Sequence, residues 1–133
     1  MKIKRFGVSL EESVLKELDS LAQHRKFPNR SQAIRQLIKD AREQEQMDKN
    51  AEVAGALVLI YDHHKRNLSS RLTKIQHDHF QQIVSTQHIH LSQDICMEII
   101  ALRGKAKELT QIADAIISIK GVLHGKLVIT GLS

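Results

Sequence analysis

The first ten residues alternate. In Lys2-Ile3-Lys4-Arg5-Phe6-Gly7-Val8-Ser9-Leu10, the apolar Phe6, Val8 and Leu10 fall on one face and Arg5, Gly7 and Ser9 on the other. A period of two marks a strand with one buried face. The pattern then turns helical, so the strand has nothing local to pair with. An isolated strand ahead of helices needs a partner chain or a distant strand, and this requirement restricts the possible folds more than any other feature of the chain.

From Glu11, residues Val14, Leu15, Leu18, Leu21 and Ala22 recur at helical spacing, with Glu11 and Glu12 in the first turn, where the helix dipole favours negative charge. The helix is expected to stop near Phe27-Pro28. Asn29 reads as the N-cap of a second helix, with Gln32 three residues later completing a capping-box pattern. That helix carries Ala33, Ile34, Leu37, Ile38 and Ala41 on one stripe and runs into the polar stretch Glu43–Asn50.

A second unit begins near Val53. Val53–Asp62 is an apolar, β-branched run bounded by polar residues, as in a buried strand. Asn67–Phe80 reads as a helix with Leu68, Leu72 and Ile75 inward, and Ile83–Leu91 as an alternating strand. Ser92-Gln93-Asp94 reads as a turn, and Ile95–Leu102 as a strand broken by Gly104. Glu108–Lys120 is expected to be a helix stopped by Gly121 at the C′ position, and Val122–Ile129 the last strand. The order strand-helix-strand-strand-helix-strand is the ferredoxin-like split arrangement, βαββαβ. The fold class is therefore α+β, with domains at 1–50 and 51–133.

Composition narrows the function. Hydrophobic residues make up 41% and charged residues 26%, a globular balance. Aromatics are 3% with no Trp, which argues against a base-stacking single-strand binder. The net charge of +5 suits a nucleic-acid partner without requiring one. Cys96 is the single cysteine, so no intrachain disulfide forms, as suits a reducing cytoplasm. No signal peptide is apparent, and the longest apolar run, Val53–Tyr61, is too short to cross a bilayer as a helix. Nothing resembles a nucleophile with its base and orienter, so an enzyme is not expected.

Strand-helix-helix in about 45 residues cannot bury a core alone. If two copies intertwine, their strands pair, four helices cover the apolar face, and the other face presents Arg5, Gly7 and Ser9 twice over. Such a ribbon is thin enough to enter the DNA major groove, where Arg suits the two acceptors of guanine and Ser is a less selective contact. The second helix would offer free N–H groups at Asn29, Arg30 and Ser31 to a phosphate. The run Phe27-Pro28-Asn29-Arg30-Ser31-Gln32-Ala33-Ile34-Arg35 resembles the junction of ribbon-helix-helix repressors, where an Asn-Arg-Ser segment opens the second helix.

Six of the eight histidines lie between His63 and His90. His88 and His90 are two apart on a strand and project from one face. A tight turn after Ser92 can bring Cys96 back beside them, and His77 can supply a fourth donor. Three imidazoles and a thiolate suit a late first-row divalent ion, without choosing among Zn²⁺, Ni²⁺ and Cu²⁺. Glu98 shares the strand face of Cys96 and is a candidate acceptor for a metal-bound imidazole.

With these residues in place, nearly the whole chain resembles the nickel-responsive regulator family, NikR, in which a ribbon-helix-helix unit precedes an ACT-like domain. The resemblance implies Ni²⁺ in a square-planar site, with the counterparts of His88, His90 and Cys96 from one subunit and that of His77 from a neighbour. It also implies a homotetramer built as a dimer of dimers, and repression at a double-stranded DNA operator, expected to control nickel uptake. Lys65 and Arg66, before the His77 helix, would reach the DNA backbone once that helix is ordered. Two positions depart from the family. Gln32 and Gln36 are neutral where members often carry acids for an auxiliary cation, and Gly7 lacks the side chain common on the reading face. Two alternatives stay open: a sensor of another divalent metal (Zn, Cu or Co), and an ACT-type small-molecule sensor on a DNA-binding arm.

Overall fold

The helical spacing after Glu11 becomes helix α1, Glu12–His24, in the computed structural model of the chain, which describes residues 2–132. Its N-cap is Glu11, whose carbonyl accepts from Leu15 N–H at 3.0 Å. Helix α2, Arg30–Asp48, opens as expected at Asn29, whose Oδ1 accepts the Gln32 N–H at 2.9 Å. Only that half of the capping box is present: the Gln32 side chain accepts from Arg35 at 3.4 Å instead of reaching back. Small residues let the two helices approach, and Ala22 and Ala33 are the buried positions on them. Arg30 closes the junction with a two-bond pair to Asp19, at 2.8 and 2.9 Å.

The expected strand over residues 2–10 is not formed within one chain; residues 2–11 have no regular structure. The apolar face that was to be buried stays open, with Phe6 76% and Val8 60% exposed. A strand exists through its ladder hydrogen bonds, and the described residues offer this one no pairing.

The chain divides into two units, Met1–Arg42 and Glu43–Ser133. The second contains strand β1 (Glu52–Asp62), helix α3 (Leu68–Asp78), strands β2 (Ile83–His90) and β3 (Ile95–Lys105), helix α4 (Ala106–Ile117) and strand β4 (Val122–Gly131). The sheet order is β2-β3-β1-β4 with every pairing antiparallel, which is the expected split arrangement. Two boundary expectations are corrected. Gly104 does not break β3; it pairs with Val53 and the strand runs on to Lys105. Helix α4 consequently starts at Ala106 and ends at Ile117, with Ser118 as its C-cap, so Gly121 is not at C′. It sits instead in the turn into β4, at φ 107°, where Val122 N–H bonds the Ile119 carbonyl at 3.1 Å.

Alternation divides the sheet into two faces. Val53, Leu57, Leu59 and Tyr61 of β1 and Cys96, Ile100 and Leu102 of β3 form one buried core with Leu68 and Leu72 of α3 and Leu109, Ile112 and Ile116 of α4. Glu98 is the buried charged residue on that face. The opposite face, with Val58, Met97, Ile99 and Val128, is half-buried to exposed.

Candidate metal centre

The register of the sheet assembles the site. His90 of β2 lies opposite Cys96 of β3, and Cys96 lies opposite Tyr61 of β1. In the next row on the same face, His88 lies opposite Glu98 and Glu98 opposite Leu59. Side chains two apart share a face, so both histidines, the thiol and the carboxylate project from one side. The donor atoms of His88, His90 and Cys96 all lie within 4.8 Å of one another, and among the described residues no other His, Cys, Asp or Glu group of three or more does so. The His90 Nδ1–Cys96 Sγ distance is 3.4 Å, and the His88 and His90 ring centroids are 4.9 Å apart.

The connection between the strands is a built turn. Ser92 Oγ accepts from Ile95 N–H at 3.1 Å, and Leu91 N–H donates to the Ile95 carbonyl at 2.9 Å. The Cys96 side chain is fully buried, while both imidazoles are exposed. Burial pushes the thiol pKa up, and the nearby carboxylates of Asp62 and Glu98 push it the same way. A metal must therefore displace a proton to gain the thiolate. Two imidazoles and a thiolate converging on one point fit a late first-row divalent ion by donor chemistry.

Two residues outside the expected donor set stand beside the cluster. Tyr61 is buried, and its hydroxyl lies 3.1 Å from His88 Nδ1. Burial, then the charges of Glu98 and Cys96, push the phenol up to about 12, so it stays neutral. With Nδ1 engaged, Nε2 is the free donor of His88. Gln76 on α3 donates to Glu98 Oε2 at 3.2 Å. Burial raises the Glu98 carboxyl, while His88 and the Gln76 bond act in the opposite direction. Tyr61 had a sequence signal, as an aromatic on the buried face of its strand, but its partner emerges only from the register. Gln76 had none.

The other candidate residues lie elsewhere. His77 is exposed in the last turn of α3 and is not a member of the three-residue cluster. Lys65 and Arg66 are exposed in the loop between β1 and α3. Arg5, Gly7 and Ser9 are exposed on the N-terminal segment, and nothing lies within 4 Å of the place a Gly7 side chain would take. Asn29 caps α2, Ser31 is exposed in its first turn, and the Arg30 guanidinium is engaged by Asp19. No helix among the described residues is long and apolar enough to cross a membrane.

Comparison with known proteins covers both units. Residues 54–130 match the model of the NikR C-terminal nickel-binding domain, and residues 4–45 match that of the ribbon-helix-helix proteins of the CopG family. A protein of Caldanaerobacter subterraneus named nickel-responsive regulator is 45% identical over 96% of this chain and 84% of its own length. Proteins of the same name from Syntrophus aciditrophicus and Thermococcus kodakarensis are 45% and 42% identical, each over 98% of this chain and 95% and 96% of their own lengths. Among solved structures, the ACT domain of a GTP pyrophosphokinase from Chlorobium tepidum aligns over 59% of this chain and 100% of its own, with a TM-score of 0.50 at 12% identity, a likeness of fold alone.

Proposed function

Since the chain belongs to the NikR family of nickel-responsive regulators, we propose that it is a nickel-dependent transcriptional repressor in the cytoplasm, acting on nickel uptake. The family is one of regulators and not of enzymes. The observation that carries the reading is the convergence of His88, His90 and Cys96 donor atoms within 4.8 Å.

In this reading residues 1–50 form the DNA-binding domain and residues 51–133 the metal-binding domain. The segment holding Phe6, Val8 and Leu10 pairs with that of a second copy, which covers the open apolar face described above. Arg5, Gly7 and Ser9 then face the base edges, while Asn29, Arg30 and Ser31 approach phosphates. Two dimers join through their metal-binding domains into a homotetramer. Bound Ni²⁺ supplies the positive charge that holds a thiolate and imidazoles together. His88, His90 and Cys96 hold it from one subunit, and His77 joins from a neighbour. His77 would tie α3 to the bound ion, and Lys65 and Arg66, just before that helix, would approach the DNA backbone, where each cation would add salt-sensitive affinity.

Absorption spectroscopy with added Ni²⁺ tests the site. A thiolate-to-metal charge-transfer band should appear in the wild type and be lost in Cys96→Ala. The second test is selection of duplexes from a random pool with and without Ni²⁺, which should enrich a palindromic sequence only with the metal. Absence of the band, or operator affinity that survives replacement of Ni²⁺ by Zn²⁺, refutes the nickel reading.

A further inference from the structure

The turn that closes the metal cluster is also the anchor of the Lys65-Arg66 loop. His90 and Cys96 bracket residues 91–95, so the backbone of that turn is set by where the two donors stand. The β1–α3 loop is fastened to it at three points. His63 N–H donates to the Asp94 carbonyl at 3.1 Å. The His63 ring nitrogen Nε2 lies 2.6 Å from the Gln93 carbonyl, to which it donates. His64 Nε2 lies 3.0 Å from Asp94 Oδ1. The His63 and His64 rings sit 3.9 Å apart, and His63 meets His90 edge-on at 5.8 Å. Within the loop, Asp62 Oδ1 accepts from His64 N–H at 2.9 Å, and Lys65 N–H donates to the Asp62 carbonyl at 3.2 Å. On its far side, the Lys65 stem rests against Gly121, where a Cβ would meet Lys65 Cβ at 3.3 Å.

We infer that His64 and Asp94 are positioning residues that couple the metal cluster to Lys65 and Arg66, through a path separate from His77 and α3. A displacement of the turn on metal binding is carried through the His64–Asp94 contact and the two His63 bonds to the residues next in sequence. The neutral imidazole suffices, because its N–H donates to the carboxylate. The inference rests on the nickel-responsive reading of the same site.

The test uses the full-length protein and its selected duplex. Nickel affinity is measured by titration of the charge-transfer band, and DNA affinity with and without Ni²⁺. Asp94→Ala and His64→Ala should each reduce the nickel-dependent gain in DNA affinity by about fivefold, the low end of typical couplings between sites, with nickel affinity and metal-free DNA affinity unchanged. The double variant should lose no more than either single one, since the two act as a unit. Asp94→Asn keeps an acceptor for the imidazole N–H and should restore most of the gain. A readout without DNA is amide exchange: Ni²⁺ should slow exchange at Lys65 and Arg66 in the wild type and not in Asp94→Ala. The inference is overturned if the gain persists in both alanine variants, if their losses add, or if DNA affinity falls equally with and without metal. A wild type that gains no DNA affinity from Ni²⁺ refutes the functional reading itself, a result distinguishable from variants that behave like a responsive wild type.

Discussion

Tyr61→Phe separates the stability of the apoprotein from the strength of its metal site. The substitution keeps the ring in the core, where Tyr61 is 3% exposed, and deletes only the hydroxyl 3.1 Å from His88 Nδ1. In the metal-free protein, exposed His88 can take a water in exchange, so unfolding free energy should change by no more than about 1 kcal/mol, the net worth of one hydrogen bond. Metal binding is more demanding. Were His88 to ligate through Nε2, its Nδ1–H would donate to the phenol oxygen, which would fix the orientation of the ring. Losing such a partner typically costs about 10–100-fold in metal affinity, or about 1.4–2.8 kcal/mol. Because the phenol pKa is pushed up to about 12, the loss should be constant between about pH 7 and 9, below that titration. Competition against a chromophoric chelator gives the nickel Kd, and urea unfolding of the apoprotein gives the stability. An unchanged Kd, or an apoprotein destabilised by as much as the binding loss, would refute the role given to the hydroxyl.

Three further expectations follow from the same geometry. Glu98→Gln should stabilise the metal-free protein at neutral pH: burial raises the Glu98 pKa, so ionisation costs stability as pH climbs through the ordinary carboxylate value, and the cost is complete above the raised one. The Tm difference should therefore vanish below about pH 4; a Gln variant less stable than wild type at pH 7 contradicts this. Gly125→Ala should lower stability by about 1–3 kcal/mol, because the new Cβ overlaps Ile117 Cγ1 and stands 3.2 Å from Leu59 Cδ2, and a β-branched helix residue has little rotamer freedom with which to yield. Thermal unfolding checks it, and an unshifted Tm would show that α4 moves freely over β4. Arg5→Ala should cost about 1–3 kcal/mol of discrimination between operator and non-specific duplex, read by competition binding; unchanged specificity would place the reading face elsewhere.

Much of the metal-binding unit was legible because each local signal agreed with the tertiary arrangement. The apolar run at Val53–Asp62 and the alternation at Ile83–Leu91 predicted β1 and β2 to within a residue. Gly104 misled because a glycine in a strand pattern reads as a break, whereas here it keeps its place in the ladder with Val53. Gly121 misled for a related reason: a positive φ serves a turn as well as a helix stop. The N-terminal segment shows the limit most clearly. Its period was unambiguous, but alternation reports only which face would be buried, and no described residue of the single chain supplies the pairing that makes a strand.

Sequence alone determined that His88 and His90 share a face and that Cys96 follows a turn, because strand periodicity and turn chemistry act over a few residues. It also carried the family, since nearly the whole chain contributes to that resemblance. Only the tertiary structure decided that Cys96 is fully buried, that Tyr61 engages His88, that Gln76 holds Glu98, and that the Lys65-Arg66 loop is bonded to the turn between His90 and Cys96. These contacts depend on the register among β1, β2 and β3 and on how α3 packs over them. Register is a cooperative property of paired strands, and no stretch of a few residues contains it.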